Sequence, residues 1–220
     1  MGDGGRDSYP IHVNARLLEE IHFPPFRDAI QRAGARSVMT AYNSVDGEPA
    51  TQNRWLLTDR LRGAWGFEGF VISDAAATGG ATVLHMTEPS TVAAAQHALE
   101  AGLDVIFQSS WPQHRPYWEA FRVGMIADSV IDRAVARVLR VKFELGLFER
   151  PNVDADSAAY WNGHAAHRAL AREAARASIV LLRNERRVLP LDRPLRAVAA
   201  SAPTLSRPGL EATAGLASGP

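Results

Sequence analysis

Short apolar runs alternate with amphipathic stretches through much of this chain. Residues 37–42 (SVMTAY) and 70–74 (FVISD) are short and rich in apolar and β-branched side chains, as expected of strands. Residues 55–62 (WLLTDRLR) lie between them with the apolar spacing of a short helix. A strand, a helix and a strand with connections of this length predict a βαβ unit, in which the two strands are parallel.

The same alternation continues further along the chain. A helix that begins at Ser90 or Thr91 is expected to end before Gly102, and residues 103–107 (LDVIF) are a candidate for a third strand. A long helix is predicted over residues 129–145, where apolar residues recur at helical spacing. The pattern therefore predicts an α/β fold, with three parallel strands and helices packed against them.

Two helices are expected before the first strand. Their ranges are 14–21 and 26–33, with a joint at Pro24 and Pro25 and a stop at Gly34. Prolines open helices more readily than they continue them, so the joint predicts two separate helices.

Composition changes at residues 149–163, which are rich in Pro, Asn, Asp and Ser. This segment predicts a linker between a first domain, residues 1–148, and a second, residues 164–220. The second domain is expected to begin with a helix over 164–177 and a strand over 178–183 (SIVLLR). Three strands are fewer than the eight of a closed parallel barrel, and one helix with one strand cannot bury a core. Both domains are therefore expected to be incomplete within this sequence.

Charge and composition exclude several classes of function. Lys and Arg together number 24, as do Asp and Glu, so no positive field favours nucleic acid or an anionic membrane surface. The chain has no cysteine, which excludes disulfides, thiol catalysis and thiolate-bound metals. It contains no apolar run long enough to span a bilayer and no visible secretion signal. We expect a soluble protein that binds neither nucleic acid nor membrane.

Asp74 is the first candidate for chemistry, because it directly follows a predicted buried strand. The carboxyl ends of parallel strands face the side of a barrel where active sites are built, so this carboxylate could be a nucleophile, a base or a metal ligand. It could equally cap the following turn or helix. Ser73 is better interpreted as a strand-end residue bonded to the backbone than as a nucleophile, since the Gly-x-Ser-x-Gly pattern is absent.

Tyr42 and Asn43 end the other predicted strand, at the same rim as Asp74. Their side chains could bond sugar hydroxyls or hold a carboxylate, although a tyrosine at a strand end can also simply pack.

Other candidates are weaker. His164 and His167 are three residues apart but lack the glutamate and the spacing of a zinc-protease motif, so no metal site is predicted. The tryptophans could include a platform for stacking sugars, and packing between helices and strands is the simpler interpretation. The chain has five of them, Trp55, Trp65, Trp111, Trp118 and Trp161.

Several ordered stretches resemble the family 3 glycoside hydrolases, of the β-glucosidase and β-xylosidase type. The resemblance extends over about residues 4 to 192. The stretches that carry it are SVMTAYN (37–43), DGEPA (46–50), NRWLLTD (53–59), LR (61–62), WGFEGFVISD (65–74), AGLD (101–104), RVLRVKFELGLF (137–148), SIVLLRN (178–184) and LPL (189–191).

The resemblance implies a role for individual residues. Asp74 is similar to the catalytic nucleophile of the family. Met39 and Tyr42 are similar to residues that line the subsite of the non-reducing sugar, and Arg6 is similar to an arginine that binds sugar hydroxyls. A retaining β-glycosidase also needs a second carboxyl group about 5 Å from the nucleophile, to protonate the leaving oxygen and then activate water.

This sequence also departs from the family pattern. The family's Lys-His pair would precede Gly4, and its acid/base glutamate would follow Pro220. Ala75 stands where the family usually has a tryptophan. Glu88 and Glu173 are the alternatives for the acid, and each is better interpreted as a solvated charge at a helix end or on a helix face.

The resemblance implies the later part of a (β/α)8 barrel, a linker and the first elements of an α/β sandwich. The implied activity is that of a retaining exo-β-glycosidase that forms a glycosyl-enzyme on Asp74 and acts at the non-reducing ends of β-linked glucosides or xylosides, with no cofactor. This chain alone is expected to be incomplete for that activity. Two alternatives stay open: a non-catalytic fragment that binds carbohydrate or complements another chain, and a decayed reading frame.

Overall fold

The structure is a computed structural model that describes residues 8–185 and 189–190. The chain divides into two units, residues 1–153 and residues 154–220. Arg6, one of the predicted sugar-binding residues, lies outside the described residues.

Helical structure precedes the first strand. Helix α1, Ala15–Leu17, is capped by Asn14, whose side chain accepts the Leu17 N–H at 3.0 Å. It continues through a π-helical turn, Leu18–His22, into helix α2, Phe23–Gln31. The predicted break at Pro24 and Pro25 is therefore wrong. Both prolines lie in the first turn of α2, where the missing N–H costs least.

The predicted βαβ unit is present. Strands β1, Ser37–Thr40, and β4, Phe70–Ser73, pair in parallel, with Ser37 opposite Phe70 and Thr40 opposite Ser73. The connection contains a small antiparallel hairpin of β2, Ser44–Val45, and β3, Glu48–Pro49, followed by a π-helix, Trp55–Ala64.

The third predicted strand forms only in part. Helix α3, Gly80–Val83, and helix α4, Thr91–Ala101, follow β4, and Ser90 caps α4 as expected. Residues 103–107 then run parallel to β4 on the side opposite β1, where Val105 forms a single bridge with Ile72. Val105 N–H donates to Val71 O at 3.0 Å. The order across the sheet is therefore β1, β4 and residues 103–107.

The two faces of this sheet differ in burial. Val71 is fully buried and packs with Leu57, Leu61 and Leu103 against the helices. Met39 lies on the opposite face, since side chains alternate along a strand, and it is 59% exposed. The core of this unit therefore lies between the sheet and the helices on one side.

Helix α5, Trp111–Arg122, is an element that the sequence pattern did not predict. Pro112 lies in its first turn, where proline is tolerated, whereas Pro116 lies inside it, where proline ordinarily breaks a helix. The helix forms nevertheless, with its buried residues Tyr117 and Ala120 packed against α4. The next helix, α6, Asp128–Glu144, occupies the range predicted from periodicity.

The second unit is described over two helices, α7, Ala155–Trp161, and α8, Ala165–Ser178. Helix α7 falls within residues 149–163, the predicted linker. The predicted strand over 178–183 is wrong: α8 extends to Ser178 and the residues after it are unpaired, with Leu182 92% exposed. An apolar, β-branched run becomes a strand only beside another strand that bonds its backbone, and the described residues supply none there.

In the described part of the chain, no helix has both the length and the apolar character needed to cross a membrane.

Candidate active site

Asp74 lies immediately after β4, where β4 and β1 end together. Its N–H donates to Thr40 O at 3.3 Å, which places it at the carboxyl end of the parallel pair. The residue is half-buried. Its Oδ1 accepts the Ala75 N–H at 2.6 Å, and among the described residues no hydrogen bond reaches Oδ2. The carboxylate thus stabilises the following turn through Oδ1.

The loop after Asp74 is tightly turned. Ala76 has a positive φ of 63°, which is unusual for a residue with a Cβ. Ala77 N–H donates to Asp74 O at 3.1 Å and begins a short 3-10 turn, Ala77–Gly79. The small side chains of this loop permit a close turn beside the carboxylate.

Tyr42 lies next to this loop. Its hydroxyl donates to Ala75 O at 2.7 Å, so the phenol from the end of β1 is bonded to the residue that follows Asp74. His85 Nε2 lies 2.8 Å from Tyr42 O, where it acts as a donor. Sequence reasoning did not single out His85, because a lone histidine in a loop carries no local signal.

Met39 is placed by strand alternation. It lies opposite Ile72 in the parallel pair, on the strand face shared by every second residue. Asp74 is two residues beyond Ile72 and follows the last residue of β4. The structure therefore places Met39, Tyr42 and Asp74 in or just after the carboxyl-terminal halves of the paired strands β1 and β4.

A buried charge cluster is bonded to the first half of β4. The Asp104 side chain is fully buried; its Oδ2 accepts the Val71 N–H at 2.8 Å and pairs with Arg62, and its Oδ1 pairs with Arg137 at 2.9 Å. Arg62 also donates to Gly69 O at 2.9 Å. Burial lowers the pKa of Arg62 to about 10, against the raising effect of the Asp104 carboxylate. The sequence feature that could have indicated this cluster is Asp104, a charged residue inside the apolar run LDVIF (103–107).

The two alternative carboxylates have different surroundings. Glu88 was interpreted as a solvated charge, and this is wrong. Its side chain is mostly buried and lies 2.7 Å from His97 Nδ1, because α4 places that histidine facing the loop before the helix. Glu173 lies on α8 in the second unit and is exposed, as expected.

The tryptophans divide into packed and exposed residues. Trp65 is buried edge-on against Phe23, with ring centroids 5.1 Å apart, as the packing interpretation expects. Trp111 is 60% exposed on α5, and its ring centroid is 6.4 Å from that of Trp118. Among the described residues, no group of His, Cys, Asp and Glu side chains could hold a metal ion.

A cavity of about 450 Å³ lies between the N-terminal helical segment and the β2–β3 hairpin. Its lining includes Glu48, Gln52, Trp55 and His97. Asp74 is not among its lining residues, so this cavity is separate from the candidate site.

Comparison with known proteins gives a consistent result. A model described as the glycosyl hydrolase family 3 N terminal domain matches residues 1–141. A β-xylosidase of Formosa agariphila is 32% identical over 189 residues, which are 82% of this chain and 26% of that protein. Thermostable β-glucosidase B of Acetivibrio thermocellus is 36% identical over 81% of this chain and 21% of its own length.

Solved structures agree with the sequence matches. A β-glucosidase from Erythrobacter marinus superposes with a TM-score of 0.77 and 38% identity, over 86% of this chain and 25% of that one. A β-glucosidase from Listeria innocua in complex with gluconolactone gives a TM-score of 0.72 and 36% identity, over 86% of this chain and 26% of that one. The chain thus spans about a quarter of the length of the proteins it matches.

Proposed function

Because this chain belongs to glycosyl hydrolase family 3, we propose that it provides the nucleophile of a retaining exo-β-glycosidase, with Asp74 in that role. The proposed substrates are β-linked glucosides or xylosides, cleaved at the non-reducing end. The observation that carries the proposal is the place of Asp74: half-buried at the carboxyl end of β4, with one carboxylate oxygen bonded to Ala75 N–H.

The proposed chemistry has two steps. Asp74 attacks the anomeric carbon, so that a C–O bond to the carboxylate forms as the bond to the leaving oxygen breaks, and a protonated acid gives that oxygen its proton. Water then attacks the same carbon from the face that the leaving group occupied, the residue that served as the acid now takes the proton of this water as a base, and the C–O bond to Asp74 breaks. Glu88 is not assigned as the acid, because it is bonded to His97, and Glu173 is not assigned because it is an exposed helix residue of the other unit.

We assign supporting roles to three further residues. Met39 and Tyr42 are proposed to line the sugar subsite beside Asp74, since Met39 is exposed near the end of β1 and Tyr42 is bonded to the residue that follows Asp74. The bond from the Tyr42 hydroxyl to Ala75 O also supports a role in fixing the turn next to the carboxylate. Arg6 is proposed to bind sugar hydroxyls because of its resemblance to an arginine of the family.

The same proposal covers the architecture. The parallel strands and their one-sided core support the later part of a (β/α)8 barrel over residues 1–148, with the face of Met39 toward the barrel interior. Residues 149–163 are proposed as a linker and residues 164–220 as the start of an α/β sandwich.

A fluorosugar with a strongly activated leaving group tests the nucleophile by itself, because such a leaving group departs without an acid. The chain is incubated with dinitrophenyl 2-deoxy-2-fluoro-β-glucoside, and its intact mass and its peptides are measured. We expect one fluoroglucosyl adduct, carried by the peptide that contains Asp74.

The matched variants are Asp74→Asn, which is expected to abolish the adduct, and Asp59→Asn, which makes the same change at an exposed carboxylate and is expected to retain it. An adduct on another residue, no adduct on the unmodified chain, or equal labelling of Asp74→Asn would overturn the proposal.

A further inference from the structure

The hydrogen bonds between β4 and residues 103–107 become irregular at Asp74. Up to Ser73 they follow a parallel ladder, with Val105 N–H bonded to Val71 O and Ser73 N–H bonded to Val105 O at 2.9 Å. In a regular ladder, the next two bonds would join Phe107 N–H to Ser73 O and Ala75 N–H to Phe107 O. The structure departs from this pattern at both bonds.

A side chain replaces a backbone group at the first of these bonds. Phe107 N–H donates to Ser73 Oγ at 2.9 Å, and Phe107 O accepts from Ala76 N–H at 3.1 Å. The chain after β4 therefore contains one residue more than the ladder would hold. This is the geometry of a bulge, which re-aims a side chain and occurs frequently beside active sites.

The irregularity determines where the Asp74 carboxylate points. Ala75 N–H is free of the ladder and donates instead to Asp74 Oδ1 at 2.6 Å. Ala76 takes the positive φ that closes the turn. Ser73 itself is 1% exposed, so its hydroxyl is enclosed and satisfies a backbone donor that would otherwise lack its ladder partner.

We propose that Ser73 is a positioning residue for Asp74: its hydroxyl holds Phe107 so that the chain bulges at Asp74 and presents the carboxylate at the rim. This inference rests on the proposed role of Asp74 as the nucleophile. It assigns Ser73 no contact with substrate and no part in bond making.

Ser73→Ala removes the hydroxyl, and Ser73→Thr retains it. Ser44→Ala is the matched control, because Ser44 is another buried serine of the same unit, on the β2–β3 hairpin. Three quantities are measured on the full chain: hydrogen exchange at the Phe107 amide, the carbon resonance of the Asp74 carboxyl group, and the rate and half-saturation of labelling by the fluorosugar.

For Ser73→Ala we expect exchange at Phe107 to rise about fivefold, as for the loss of one hydrogen bond. We also expect a shifted Asp74 resonance and a labelling rate about tenfold lower, with half-saturation little changed, since misplacement affects attack more than binding. Ser73→Thr should restore all three, and Ser44→Ala should change none of them.

The outcomes separate this inference from the proposed function. If Ser73→Ala speeds exchange but leaves the Asp74 resonance and the labelling rate unchanged, Ser73 is only structural and the inference is overturned. If the unmodified chain is not labelled at all, the proposed function fails, and the Asp74 resonance alone tests this inference. A shifted resonance in Ser73→Ala then supports the inference, and an unchanged resonance overturns it.

Discussion

Replacing Asp104 with asparagine tests whether the buried charge cluster stabilises the first unit. The fully buried carboxylate accepts from Arg62, Arg137 and Val71 N–H. Asparagine keeps the size and one acceptor oxygen but removes the charge, so two guanidinium groups lose their common partner. Removing one partner of a buried ion pair costs about 3–5 kcal/mol.

The lower end of that range applies here. The side chains of Arg62 and Arg137 are largely buried but retain some access to solvent, so each can regain part of its hydration. We therefore expect Asp104→Asn to lower the free energy of unfolding by about 3 kcal/mol. Urea unfolding followed by tryptophan fluorescence measures this, because Trp65 lies in the core of the same unit.

Glu20→Gln is the control. It removes the charge from an exposed pair with Arg16, one helical turn away, and the expected loss is below about 0.5 kcal/mol. If Asp104→Asn changed stability no more than this control, the cluster would not contribute as argued, and its burial in solution would be in doubt.

Three further predictions concern stability. Burial raises the pKa of the Tyr117 phenol above its ordinary value of 10.0. Above pH 10 the phenol therefore loses its proton more readily in the unfolded chain, and the free energy of unfolding falls as the pH rises. Tyr117→Phe should remove this part of the pH dependence in urea titrations. Gly69→Ala should destabilise the protein by about 3 kcal/mol in the same assay, because the added Cβ would lie 2.1 Å from a backbone oxygen. Its control, Gly63→Ala, adds a Cβ with ordinary contacts in a helix and should stabilise the protein by up to about 1 kcal/mol. Ala76→Gly should raise the free energy of unfolding by about 0.5 kcal/mol, and with it the melting temperature, because glycine adopts a positive φ without strain. Ala93→Gly, within α4, should lower the melting temperature. A change of the same sign in both variants would contradict this expectation.

The elements that sequence predicted correctly are those with local signals. Asn14 and Ser90 cap helices through their own side chains, and Gly102 ends α4 with a φ of 119°. The spacing of apolar residues predicted α6 because a helix on a sheet needs one apolar face. None of these signals depends on a distant residue.

Three of the errors arise where the outcome depends on a partner. Residues 178–183 have the composition of a strand, but the described residues place no strand beside them. Helix α5 contains Pro116 and forms because Tyr117 and Ala120 pack against α4. Glu88 is buried because His97 faces it. Local pattern gives an element its preference, and packing decides whether that preference prevails.

The candidate site also contains features that the sequence predicted and features that it did not. The position of Asp74 after an apolar run placed it at the rim of the parallel pair, and Tyr42 at the end of the other strand placed the phenol nearby. The link from Ser73 to Phe107 could not be predicted, because it depends on how the ladder fails between segments more than 30 residues apart.

Strand β4 is fixed at both ends by the same neighbour, residues 103–107. Asp104 holds its first half through Val71 N–H at 2.8 Å, and Phe107 holds its last residue through Ser73 Oγ at 2.9 Å. The bond from Asp74 N–H to Thr40 O, on the β1 side, is longer at 3.3 Å. A buried carboxylate and a buried hydroxyl thus join β4 to residues 103–107, although the two segments form only one bridge of regular sheet. The position of the candidate nucleophile therefore depends on these side-chain bonds to backbone groups as well as on the β1–β4 ladder.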